Sequence, residues 1–392
     1  KAQNFDCQVM QHTKHTKLVR PDVGRYGRNE WAILGTSCGN IQRLAAAVIA
    51  ALRERWQCAY LDADHAAADT TPGPTGMLAA GASLEYTDEI HSHRLRFGGD
   101  LSMHRFRTLF NEADLILVNG NHQEAAAQIV VIDPAKETSL RKRLAQLTDV
   151  RLILLAEGAS QVFDFVEDAL PDSVSIPRLK LTDVAGIIRF FEQEMLRKTP
   201  PVNGLVLAGG RSLRMGRDKG EIAWHGKPQR EYAADLLRPI CSEIFISCRA
   251  NQAAEIETAY PTLPDTFAEL GPYGAILSAF RHNPNTAWLV VACDLPLLDA
   301  ATLDFLLNNR QPRRVATAFQ SPHDQMPEPL IAIWEPKSYA VLLSFLAQGY
   351  SCPRKVLLNS DALILSVPNP AALTNVNTPE EGLSLKFESS KV

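Results

Sequence analysis

The run Leu207-Ala208-Gly209-Gly210-Arg211-Ser212-Leu213-Arg214-Met215-Gly216-Arg217-Asp218-Lys219 follows an apolar stretch directly. Paired glycines let a backbone turn sharply and bring its N–H groups close to phosphate oxygens. Arg211, Arg214 and Lys219 add fixed positive charge in the same loop. A triphosphate carries several negative charges, and its pyrophosphate leaving group gains charge during nucleotidyl transfer. Backbone donors and fixed cations would stabilise that change. A Gly-Gly pair alone reads as a solvated turn; the three cations and Gly216 favour phosphate. No Gly-Lys-Ser/Thr follows, so this is not a Walker A loop. A second candidate is Asp294, at the end of the apolar run Trp288-Leu289-Val290-Val291-Ala292-Cys293. A buried strand would deliver that carboxylate at its C-terminal end, where open α/β sheets bind ligands. Asp299 is better placed to cap the following helix.

These groups need elements to hold them. Short apolar runs alternate with helical patterns along the whole chain, which predicts α/β architecture with mostly parallel sheets and helices on both faces. In the first half we expect strands at 31–36, 58–64, 114–119, 129–133 and 151–156, and helices at 41–55, 103–111, 137–147 and 185–198. In the second half we expect strands at 204–207, 243–248, 288–293, 315–319 and 330–334, and helices at 229–237, 274–280, 300–308 and 338–346. At 392 residues the chain is too long for one ordinary core. The paired prolines of Thr199-Pro200-Pro201 cannot continue a helix. We therefore expect two domains, 1–198 and 199–392. Residues 69–81, with Thr70-Thr71-Pro72-Gly73-Pro74-Thr75-Gly76 inside, read as an exposed loop.

Composition excludes several classes. Forty Lys+Arg against 44 Asp+Glu leave a net charge of −4, which argues against bulk binding to nucleic acid or an anionic membrane. The longest apolar run, 44–52, is far short of a membrane span. Seven cysteines without CxxC spacing read as reduced thiols, and no signal pattern opens the chain, so we expect a cytoplasmic protein. His12-Thr13-Lys14-His15-Thr16-Lys17 reads as a basic terminal segment rather than a metal site.

The glycine-rich loop resembles the signature of nucleotidyltransferases that build sugar nucleotides and molybdenum cofactors, and is most similar to that of the molybdenum cofactor guanylyltransferases. The resemblance runs over residues 202–385. It implies a Rossmann-like nucleotide-diphospho-sugar-transferase fold, in which Leu207, Ala208, Gly209, Gly210, Arg211, Arg214 and Lys219 hold the triphosphate. In Pro264-Asp265-Thr266-Phe267-Ala268-Glu269-Leu270-Gly271-Pro272-Tyr273-Gly274, it implies that Asp265, Gly271 and Gly274 border a guanine pocket. A carboxylate accepts from guanine N1–H and N2–H, a pattern adenine lacks. Tyr273 stands where the family usually has Leu, and Arg249 where it often has a nucleotide-contacting Asn. The resemblance makes Asp294 a ligand of Mg2+, and brings Asn377, in Asn375-Val376-Asn377-Thr378-Pro379, near that metal. It sets Arg354 and Lys355 on the pterin side. The implied reaction needs no protein nucleophile. The terminal phosphate of molybdopterin attacks the α-phosphorus of GTP and releases pyrophosphate. Related cytidylyltransferases usually carry two alanines before one glycine in the loop, so Leu207-Ala208-Gly209-Gly210 favours the guanylyl form over them. A non-catalytic cofactor carrier is the reading from another class, and the presence of Lys219 and Asp294 argues against it.

The first half has its own glycine turn, Gly35-Thr36-Ser37-Cys38-Gly39-Asn40-Ile41. Asn40 and Ile41 stand where a working P-loop has Lys and Ser/Thr, so charge and metal ligand are both missing. With Asp62-Ala63-Asp64-His65 and Ala113-Asp114-Leu115-Ile116-Leu117-Val118-Asn119-Gly120-Asn121-His122, the turn resembles the GTP-binding MobB-like adaptor of molybdenum cofactor synthesis, a P-loop NTPase-like fold. That resemblance implies weak or no NTP hydrolysis, and other cofactor-synthesis proteins or acceptor enzymes as partners.

Overall fold

The computed structural model describes residues 24–63, 73–170, 172–208, 219–253 and 256–376. The basic segment His12–Lys17, Asp64, His65, residues 209–218 and Asn377 lie outside them. Among the described residues, fifteen strands form two large sheets and a hairpin. The first sheet contains β1 (Glu30–Leu34), β2 (Cys58–Leu61), β5 (Leu115–Asn119), β6 (Ala127–Ile132), β7 (Val150–Leu155) and β8 (Arg178–Lys180). Its order is β2-β5-β1-β6-β7-β8, and every pairing is parallel. Strands β3 (Leu84–Asp88) and β4 (His93–Phe97) form an antiparallel hairpin of their own.

The second sheet contains β9 (Val202–Leu207), β10 (Ile244–Cys248), β11 (Thr262–Pro264), β12 (Ala287–Ala292), β13 (Ala316–Gln320), β14 (Pro327–Trp334) and β15 (Ala362–Ser366). The order is β11-β10-β9-β12-β14-β13-β15, with β14 alone antiparallel to its neighbours.

Side-chain alternation explains why both faces of each sheet are covered. In β1, Trp31 and Ile33 pack on one side with helices Cys38–Leu52 and Val184–Arg197, while Leu34 faces a separate cluster with Val130, Ile132 and Val166. In the second sheet, Val206, Leu289 and Val291 pack under helices Gln229–Leu237 and Ala300–Asn308. Leu205, Trp288 and Val290 face helices Pro272–His282 and Ser338–Ala347.

The expected strands and long helices are present, shifted by a few residues at their ends. One helix is shorter than expected: the 137–147 pattern yields Glu137–Arg141, followed by a separate 3₁₀ turn at Leu144–Gln146. The short edge strands β8, β11 and β15, the hairpin, and helices Asp164–Ala169 and Pro353–Leu358 were not expected. They are three to six residues long, too short to show a period.

The sheets meet at the edges where their parallel strands begin. Arg28, ahead of β1, donates to Pro284 O (3.0 Å), ahead of β12. Arg313, ahead of β13, donates to Glu54 O (2.8 Å), ahead of β2. Lys337, beyond antiparallel β14, reaches Asp114 Oδ1 (2.7 Å), ahead of β5. A cavity of about 500 Å³ remains at this junction. The opposite edges, carrying the Gly35 turn and Asp294, therefore point away from each other. Strands of five or six residues span about 17–20 Å, so these edges lie roughly 35 Å or more apart.

Candidate active site

Four neighbouring strands of the second sheet, β11-β10-β9-β12, deliver the site. Strand β9 ends at half-buried Leu207, and Ala208 N donates to Ser247 O (3.2 Å) at the end of β10. The chain thus enters the glycine-rich loop from the C-terminal edge of the sheet, as expected. Gly209, Gly210, Arg211 and Arg214 lie outside the described residues; Lys219 opens a 3₁₀ turn, Lys219–Glu221.

Asp265 follows β11. Its N–H donates to Cys248 O (2.8 Å), and Ser247 Oγ donates to its Oδ1 (3.0 Å). Burial pushes the carboxyl up to about 6, opposed by the Ser247 hydrogen bond and the charge of Arg249. Arg249 therefore has a local role as a counter-charge to Asp265. Gly271 has φ +55 and begins helix Pro272–His282. A Cβ at Gly274 would lie 2.3 Å from Phe267 O. Both glycines are thus required by backbone geometry as the chain turns beside Asp265. We expect Gly274→Ala to force the 266–271 segment outward, weaken GTP binding at least several-fold and lower stability by about 1–3 kcal/mol. Calorimetric titration and thermal melts would check both effects. Tyr273 packs into the core under the helix. It is fully buried, and its hydroxyl donates to Leu342 O (2.6 Å).

Asp294 stands two residues beyond β12 and is half-buried. Its carbonyl accepts from Val376 N (3.0 Å), which ties the closing Asn375-Val376 segment to this strand end. Asn377 is the next residue but lies outside the described chain. Asp299, by contrast, caps helix Ala300–Asn308 by accepting from Thr302 N (2.7 Å). A cavity of about 60 Å³ is lined by Asp294, Asn375 and Glu328. Asp294 and Asn375 are hard oxygen donors, and magnesium commonly takes one or two protein carboxylates with phosphate and water, so this pair fits that ion, while Glu328 is engaged by Arg354. Among the described residues no group of three or more His, Cys, Asp or Glu gathers to hold a metal.

The two basic residues expected on the pterin side diverge. Arg354 donates to Asp324 Oδ2 (3.0 Å) and to Glu328 Oε2 (3.2 Å), and Glu328 lines the Asp294 cavity. Lys355 is exposed and lies 5.5 Å from the Tyr350 ring centre. Glu328 and Ser247 went unnoticed in the sequence. Pro327-Glu328-Pro329 was a usable signal for the first, because prolines on both sides restrict a strand residue strongly.

Residues 204–362 match the MobA-like NTP transferase domain. A molybdenum cofactor guanylyltransferase from Pseudomonas fluorescens is 32% identical over 189 residues, which cover 46% of this chain and 92% of that enzyme. The chain belongs to the molybdenum cofactor guanylyltransferase family. The guanylyltransferase from Pseudomonas aeruginosa PAO1 is 34% identical over 185 residues, again 92% of its length. A molybdenum cofactor biosynthesis bifunctional protein from Synechocystis is 33% identical over 183 residues; there the match spans about half the relative, 52%. Among solved structures, molybdopterin-guanine dinucleotide biosynthesis protein A from Archaeoglobus fulgidus aligns with 48% of this chain and 100% of its own, at 22% identity and TM-score 0.42. A MobB protein homolog from Bacillus stearothermophilus aligns with 43% of this chain and 99% of its own, at 19% identity and TM-score 0.31. Among the described residues, Leu207, Asp265, Asp294 and Glu328 stand at one edge of the second sheet.

The eroded turn of the first half is closed by its own side chains. Thr36 Oγ1 donates to Asp133 Oδ2 (2.6 Å) and accepts from Asn40 Nδ2 (2.9 Å). Ser37 caps helix Cys38–Leu52. Asn119 donates to Asp62 (2.8 Å). No helix among the described residues is long and apolar enough to cross a membrane.

Proposed function

We propose that the second half transfers GMP from GTP to the terminal phosphate of molybdenum-molybdopterin, forming molybdopterin guanine dinucleotide and pyrophosphate. The hydrogen bond from Val376 to the Asp294 carbonyl carries this reading, because it brings the closing motif onto the strand end that presents the carboxylate. Leu207, Ala208, Gly209 and Gly210 supply the turn, and Arg211, Arg214 and Lys219 the positive charge for the triphosphate. Asp265 accepts from guanine, and Gly271 and Gly274 shape the turn beside it. Asp294 and Asn377 would hold Mg2+, which supplies charge screening between the two phosphate groups when bound. Arg354 meets the acceptor phosphate. Lys355 stands further out and adds general positive charge. The first half, 1–198, serves as a MobB-like domain without NTP hydrolysis and contacts other cofactor-synthesis proteins or acceptor enzymes in the cytoplasm.

The deciding experiment is pyrophosphate release from GTP or CTP with purified molybdopterin, with and without EDTA. Release from GTP alone, abolished by the chelator, is the expected result. CTP preference would move the chain to the cytidylyl relatives, and release from neither nucleotide would sink the proposal.

Guanine recognition gives a pH dependence with a definite sign. Guanine donates its two hydrogens, so ionised Asp265 is the binding form. Its carboxyl is raised to about 6, so GTP affinity is near full at pH 7 and above. It falls as pH drops through 6, approaching tenfold per unit below that. Dissociation constants measured from pH 5 to 8 should show this fall, and Asp265→Asn should flatten it.

A further inference from the structure

Strand β14 runs antiparallel to β12, so its first residues lie at the same sheet edge as Asp294. There the strand is irregular. Its pairing with β13 jumps from Ala318↔Ala332 to Phe319↔Glu328, so the pairing skips residues 329–331 on that side, while Ile331 stays in register with Val291 of β12. Bulges of this kind re-aim side chains next to functional sites. The bulge is anchored: Trp334 Nε1 donates to Pro329 O (3.3 Å), and Trp334 is fully buried. Pro327 and Pro329 are buried, while half-buried Glu328 between them lines the Asp294 cavity. Fixed φ at Pro327 and Pro329, and the restriction proline places on its predecessor, make this a stiff mount.

Arg354 has two carboxylate partners of different character. Glu328 Oε2 sits on the stiff strand, with the side chain 22% exposed. Asp324 lies in the turn before the strand, with its side chain 48% exposed. Two carboxylates against one guanidinium leave the cluster net negative, which repels an incoming phosphate. The exposed Asp324 is the partner a phosphate displaces at low cost, since exposed pairs are weak. A guanidinium has five N–H donors, so it keeps its bond to Glu328 while turning others to the phosphate.

We infer that Glu328 is a positioning residue for the acceptor: from its place in the lining of the Asp294 cavity it holds Arg354, and Asp324 covers that guanidinium until the acceptor's phosphate replaces it. This rests on the guanylyl-transfer reading above and deepens its acceptor side. The two carboxylates then have opposite effects. Glu328→Ala raises KM for molybdopterin about tenfold, with kcat within about twofold. Asp324→Asn lowers that KM about two- to threefold. Glu328→Gln, which retains an acceptor oxygen, recovers most of the loss.

The test is pyrophosphate release by the full chain at saturating GTP and magnesium, with molybdopterin varied, in single variants and in an Arg354→Ala background. GTP titration by calorimetry serves as the check on folding. If Glu328 acts through Arg354, Glu328→Ala has no further effect once Arg354 is gone. An equal effect in both backgrounds, weakened GTP binding in Glu328→Ala, or a raised KM in Asp324→Asn would each overturn the inference while guanylyl transfer stands. Absence of turnover in the unaltered chain would instead overturn the function and take this assignment with it.

Discussion

Asp294→Asn is expected to lower kcat for guanylyl transfer by about 10²–10³-fold, the usual effect of removing one fixed electrostatic group from a reacting centre. The substitution keeps the shape of the side chain and removes its charge. Asp294 stands two residues beyond a six-residue strand that is buried throughout, so its position is rigidly set by the sheet. Its contact with the closing segment runs through the backbone carbonyl, which Asn retains. Because Asn matches Asp in shape, the variant is expected to fold, with a far smaller effect on stability than on kcat. Single-turnover pyrophosphate release, paired with a thermal melt, separates the two effects. Activity within tenfold of the unaltered chain would place the essential carboxylate elsewhere.

Lys337→Met is expected to destabilise the chain by about 3–5 kcal/mol. The ammonium is 6% exposed, and three acceptors surround it: Asp114 Oδ1 at 2.7 Å, Glu112 O at 2.8 Å and Arg313 O at 2.9 Å. An ammonium has three donors, so all are used. Two of those acceptors come from the first half of the chain and one from the second, so this single side chain fastens the two sheets together. Asp114 also accepts from Gln57 N (2.8 Å). Burial pushes the Asp114 carboxyl up and Lys337 pulls it down; burial wins. Without Lys337 the carboxylate is left buried with one neutral donor and the weaker influence of the Arg313 charge, which is the source of the loss. Asp114→Leu combined with Lys337→Met should recover much of the stability, because apolar replacement of a whole buried pair is often neutral. Urea unfolding of the three variants would measure this. Guanylyl transfer should survive in Lys337→Met at low temperature, since the junction lies at the far edge of the sheet from Asp294. A Lys337→Met chain as stable as the parent would show that the junction is held by other contacts.

Much of the site was legible locally. Asp294 was identifiable because a six-residue apolar run can only be a buried strand here, and strand ends are where α/β sheets present chemistry. Its rival Asp299 separated cleanly because a helix cap needs only its own neighbours, three residues on. The eroded P-loop was readable for the same reason: its missing functions are residue types at fixed spacing. Arg354 and Lys355 were named as a pair, and the structure separates them. Adjacent residues on a helix point about 100° apart, so only one meets the sheet edge. Glu328 was overlooked because its partner is 26 residues away and its aim depends on a bulge defined by pairing with another strand.

The chain's sequence by itself determined its class, its succession of strands and helices, and the strand ends from which the glycine-rich run and Asp294 follow. Each of these follows from periodicity or residue type over a dozen positions, where local sterics and burial dominate. Tertiary structure alone decided the order of strands, the reversal of β14, the choice of Glu328 as mount for Arg354, and the docking of the sheets with their ligand edges turned apart. Those outcomes depend on contacts between groups up to 260 residues apart, such as Arg313 with the Arg53 carbonyl. No local pattern records such pairs, because either partner alone is only another charged residue on a loop.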